Sequence, residues 1–141
     1  MSNPNDEASL GLILGGVAVL GVFIWFMLGS LPGQSEDKPT LSSQKICKGA
    51  IAALFGREPG IIRTRGDSIV HAHYTRSDGT FWDYKCRVEG NRVIWGASDG
   101  RWRTHPLDAK VSYVVGASTV TITESYDNGQ SASHSFNISE L

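Results

Sequence analysis

The chain has 141 residues, carries a net charge of -1 at pH 7 and is 40% hydrophobic. Its thirteen Lys and Arg are scattered between Lys38 and Lys110, which argues against a nucleic-acid partner, since such proteins normally carry a basic patch. With the first 42 residues set aside, 99 remain, enough for one compact domain and too few for two.

Residues 1–9 are a short polar tail containing Asp6 and Glu7 and no Lys or Arg. Leu10 to Leu28 then reads LGLILGGVAVLGVFIWFML, with no charge and no proline. As a helix these residues would be roughly 28 Å long, close to the thickness of a bilayer's hydrocarbon core. No polar face is left for water, so the sequence predicts a single transmembrane helix over 10–29. A cleaved signal peptide would have a basic n-region and a shorter apolar core. A retained anchor is the better reading.

Within this segment Gly11, Gly15, Ala18 and Gly21 share about a third of the helix circumference, at roughly 100° per residue. Gly11 and Gly15 form a GxxxG pair, which lets helix backbones approach closely in lipid. The face predicts packing against other membrane proteins or self-association into a homo-oligomer. The alternative is that glycine is simply common in membrane helices. Trp25 falls near the end of the span, where an interfacial anchor belongs.

Two signals compete over orientation. Lys38, Lys45 and Lys48 follow the span and no cation precedes it, which taken alone puts the domain in the cytoplasm. Cys47 and Cys86 are the only cysteines, and a bridge between them would point to an oxidising compartment. Lys45 and Lys48 also belong to the folded domain. The expectation adopted is therefore an exported domain, on the periplasmic side of a bacterial inner membrane.

Residues 30–42, SLPGQSEDKPTLS, contain two prolines and read as a flexible linker. The soluble domain, 43–141, opens with a helix. Ser42 or Ser43 can cap it, and Ile46, Cys47, Ala50, Ile51, Leu54 and Phe55 recur at helical spacing. Gln44, Lys45 and Lys48 face outward. Gly56 is placed to end the helix, and Pro59 prevents continuation.

A sheet follows. Ser68 to Arg76 alternates, with Val70, Ala72 and Tyr74 on one face and Ile69, His71 and His73 on the other. In Phe81 to Val88, Trp82, Tyr84, Cys86 and Val88 oppose Asp83, Lys85 and Arg87. Glu89-Gly90-Asn91 turns into Arg92 to Ala97. Ser98-Asp99-Gly100 turns again before Arg101-Trp102-Arg103, and Lys110 to Val115 resumes the alternation. Thr119 to Ser125 turns Val120 and Ile122 inward. Gln130 to Ile138 turns Ala132, His134, Phe136 and Ile138 inward. Short local turns predict an α+β domain: one helix packed on a five- to six-stranded antiparallel β-meander.

Cys47 lies on the buried stripe of the helix and Cys86 on the inward face of the second predicted strand. The two are expected to form a disulfide stapling helix to sheet; the alternative is a pair of buried free thiols.

Chemistry is sparse. His71 and His73 share a strand face and could supply two zinc ligands, and with His105 they define a hydrolase or metal-enzyme alternative. No third ligand follows from spacing, and no GxSxG, HExxH, P-loop or dinucleotide fingerprint occurs. The expectation is no catalytic residue, no metal and no cofactor. His134 reads as a hydrogen-bonded core histidine. The candidate binding residues are Trp95, Arg101, Trp102, Arg103 and His105, gathered around one turn. Tryptophan and arginine dominate interaction hot spots, combining large contact area with directional polar groups. The alternative makes Trp102 a cap on the sheet and pairs the arginines with Asp99 or Asp108.

Three runs carry a resemblance: KICKGAIAALFGREP (Lys45 to Pro59), WDYKCRVEGNRVIW (Trp82 to Trp95) and GRWRTHPLD (Gly100 to Asp108). Together with their surroundings, over most of 43–141, they resemble a domain of uncharacterised bacterial and prophage-encoded exported proteins. The whole build is similar to phage superinfection-exclusion proteins, which sit in the inner membrane and obstruct DNA entry by later phages. The resemblance carries over no catalytic residue. The acidic flank before the span departs from the basic flank such anchors often have. The reading adopted is a membrane-anchored, non-enzymatic interaction module: an exclusion factor, as the resemblance implies, or an accessory subunit of a larger membrane complex held by the glycine face of its anchor.

Overall fold

The computed structural model describes residues 40–141. The predicted span over 10–29, its glycine face and nearly all of the linker lie outside the described residues. Among the described residues no helix is long and apolar enough to cross a membrane.

Helix α1 spans Ser43–Phe55. Of the two candidate caps, Ser42 serves: its hydroxyl accepts from the Lys45 backbone N–H at 3.4 Å. Gly56 ends the helix in the left-handed conformation, φ 58°, and Arg57 N–H closes back on the Ala52 carbonyl. The buried face is small and apolar, with Ile46, Cys47, Gly49, Ala50, Ile51, Ala52 and Ala53. Small side chains let the sheet approach closely. Gln44 and Lys45 also tie the helix down rather than merely facing water. Gln44 bonds the Gly66 carbonyl and Thr64, and Lys45 Nζ bonds the Ile138 carbonyl.

Seven strands follow: β1 (Arg63–Arg65), β2 (Val70–Thr75), β3 (Phe81–Glu89), β4 (Arg92–Ala97), β5 (Lys110–Val115), β6 (Thr119–Ser125) and β7 (Ser131–Asn137). Each pairs antiparallel with its sequence neighbours, so the sheet is a meander in the order β1 to β7. The α+β class and the meander agree with the sequence; the strand number is seven rather than five or six. The extra strand is β1, three residues too short to show an alternation. Arg101-Trp102-Arg103, by contrast, belongs to a loop.

One face of the sheet meets α1. Val70, Ala72 and Tyr74 of β2, Tyr84 and Cys86 of β3, Val93 of β4, Val111 of β5, and Val120 and Ile122 of β6 are all buried. A single disulfide, Cys47–Cys86, crosses from α1 to β3 with a Cα–Cα distance of 6.0 Å, as the two faces predict. Beside it an aromatic group fills the lower end of the helix. Phe55 stacks on Tyr84 at 4.5 Å and meets the Trp95 ring edge-on at 5.4 Å.

The inward faces thin out towards the ends. Trp82 is 38% exposed at the hairpin tip, stacked on Tyr84. His134 is paired opposite Ile122 on the inner face but is exposed, as are most residues of β7. This corrects its reading as a core histidine: period-two alternation gives the face, while the core covers β7 around Phe136 and leaves His134 outside it.

Candidate functional site

The alternation that buries Tyr84 and Cys86 of β3 turns Asp83, Lys85 and Arg87 to the opposite, outer face of the sheet. Cross-strand register extends this face into a row. Arg65 opposes His71, and His71 opposes Lys85. Arg63 and His73 lie one pair further along, opposite Asp83.

Strand β4 completes the platform by being left half-unpaired. It bonds β5 only at Arg92↔Ser112 and Val93↔Val111, after which β5 departs. The connection 98–109 fills the vacated edge: Ser98 N–H reaches the Asp83 carbonyl, and Arg103 N–H bonds the Trp95 carbonyl at 2.7 Å. Gly96 is what permits this. A Cβ there would fall on the Arg101 carbonyl, so only glycine lets the loop lie flat on the strand.

The loop carries Trp102 onto the outer face, between two cations. Lys85 Nζ is 4.8 Å from the indole centroid and Arg87 Cζ is 4.5 Å from it. Lys85 also donates to the Gly100 carbonyl at 2.5 Å, and Arg87 contacts Glu89. Asp108 locks the other side. Its two oxygens accept a bidentate pair from Arg101, at 2.7 and 3.0 Å, and the His105 backbone N–H at 3.0 Å. Arg103 approaches the same carboxylate at 3.5 Å. Bidentate guanidinium–carboxylate pairs fix direction as well as charge.

The structure therefore divides the five candidate residues. Arg101, Trp102, Arg103 and His105 are brought together on the loop. Trp95 turns the other way, into the aromatic group against Phe55 and Tyr84. Its ring meets the loop at Arg103, whose guanidinium lies 5.4 Å from it. Lys85, Arg87 and Gly96 are the site residues not singled out from sequence, while Asp108, one of the two anticipated arginine partners, takes that role. The outward half of the β3 alternation, and a glycine inside a strand, are the signals that could have found them.

The Arg101 hydrogen bonds, helped by the His105 N–H and the guanidinium charge, hold the Asp108 carboxyl down from its ordinary 3.8 to about 2. A carboxylate depressed on folding stabilises the fold above its ordinary value and loses that contribution as pH falls through the folded one. The latch is thus expected to be intact from neutral pH to about pH 4 and to open between about 4 and 2. Amide exchange of residues 98–108 across that range checks it, and Asp108→Asn should show the loosened pattern already at pH 7. Equal protection in the variant at pH 7 would mean that Asp108 does not hold the loop.

His71 and His73 both lie on the outer face, where the His73 ring is 5.5 Å from that of Phe81. Among the described residues no group of three or more His, Cys, Asp or Glu is placed to hold a metal ion. The chain matches no family model, no curated protein and no solved structure.

Proposed function

We propose that the protein is a single-pass membrane-anchored, non-enzymatic interaction module, whose contact surface is the outer sheet face around Trp102. The observation that carries this reading is the way Trp102 is presented. Its ring lies on the outer side of the sheet, half-exposed between Lys85 and Arg87, while Asp108 holds Arg101 in a fixed direction. Aromatic and arginine side chains already fixed in place lose little conformational freedom on binding. The anchoring itself rests on the uncharged run from Leu10 to Leu28. The Gly11 and Gly15 pattern supports a role as accessory subunit of a membrane complex. A superinfection-exclusion role would use the same surface and rests on the resemblance alone.

Trp102→Ala tests the surface. Losing two partly exposed cation–π contacts and some packing is expected to cost about 1–2 kcal/mol, with cooperative unfolding retained. A loss of about 3–5 kcal/mol, the range for emptying a buried aromatic site, would make Trp102 a structural lid and overturn the reading. Washing membranes that carry the full chain with high salt and alkaline carbonate tests the anchor. Release into the wash would remove the membrane part of the proposal.

A further inference from the structure

Where β5 leaves β4, the outer face contains a pocket of about 200 Å³, edged by Arg92 of β4, Lys110 of β5, and Arg103, His105 and Asp108 of the connection. We propose that this pocket is a binding site for a phosphate-class oxyanion. Three cationic side chains converge on it from three separate elements. Arg92 makes no ion pair among the described residues, Lys110 meets only Asp127, at 3.7 Å, with both partners well exposed, and Arg103 is shared with the Asp108 carboxylate at 3.5 Å. Asp108, the one anion at the rim, is already satisfied by Arg101 and the His105 N–H, so its charge is largely compensated. His105 accepts the Leu107 N–H at Nδ1. Its Nε2 therefore carries the proton in the neutral ring and is a further donor.

Geometry and size together select the ligand. A carboxylate is satisfied by one guanidinium fork, whereas donors arriving from several directions suit a tetrahedral, multiply charged group. Drug-sized ligands occupy cavities of about 300–1,000 Å³, so this pocket fits the phosphate group itself rather than a nucleotide. That group could be free phosphate or the headgroup of a lipid. The inference deepens the proposed reading, on which it rests for the loop as a contact surface. It is nevertheless measured without any protein partner, so the two can fail separately.

The test is amide exchange of residues 98–110 in the full chain, held in a neutral detergent. Inorganic phosphate should slow exchange there saturably, beyond sodium chloride at equal ionic strength. Arg92→Gln and Lys110→Gln should each weaken the effect about tenfold while leaving the melting temperature nearly unchanged. Protection given only by micelles containing phosphatidic acid, and weakened by the same variants, would support the site with a lipid as its source. Equal protection by chloride, no protection by either probe, or protection that survives both substitutions would overturn the proposal.

Discussion

Reducing the Cys47–Cys86 disulfide, or replacing both cysteines by alanine, is expected to lower the melting temperature by about 15–30 °C. The bridge closes a loop across a sequence separation of 39. In the chain-entropy account, a loop of this length restricts the unfolded chain by roughly 4 kcal/mol. Each kcal/mol moves the midpoint of a domain this size by about 4–8 °C. Both cysteines are fully buried between α1 and β3, so the variant also leaves unfilled space in the core. Reductant without denaturant should act slowly, because the sulfurs are reached only when helix and sheet part. Thermal unfolding followed by circular dichroism, with and without reductant, measures the effect. A shift of under 5 °C would show that packing alone holds the helix on the sheet.

Gly96→Ala is expected to cost about 1–3 kcal/mol, the range for overpacking a filled site, and to lift the loop. Gly96 is buried, and an added Cβ would meet the Arg101 carbonyl, which is backbone and has no rotamer by which to escape. The strain therefore falls on the loop as a whole. It should break the Arg103 N–H to Trp95 carbonyl bond and draw Trp102 off Lys85 and Arg87. Faster amide exchange over 98–108, together with a lower melting temperature, is the expected pair of results. A melting temperature lowered without faster exchange would mean that the strand, and not the loop, absorbs the methyl group.

These two substitutions differ in how visible they are from sequence. The disulfide follows from two local periodicities, the helical stripe through Cys47 and the strand alternation through Cys86. Each places a sulfur on the face that must be buried, and a single core brings those faces together. Gly96, by contrast, carries no local signal beyond being a glycine within a strand. The segment that it accommodates arrives from five residues further on, by a path that periodicity does not encode.

The sequence by itself determined the helix with its Gly56 end, the inward sets of β2, β3 and β6, the meander order and the expected cysteine pairing. All of these rest on spacing within a dozen residues, on short turns, and on the need to bury one face. Only the tertiary structure decided how far the core extends along β7, which is why His134 is exposed although it alternates correctly. It alone decided that β5 parts from β4 after two residue pairs, leaving an edge for the loop to fill. It also sent Trp95 inward and Trp102 outward, and made Asp108 rather than Asp99 the partner of Arg101. The physical reason is the same in each case. Local pattern fixes which face of an element a side chain occupies, whereas what lies over that face depends on non-local packing.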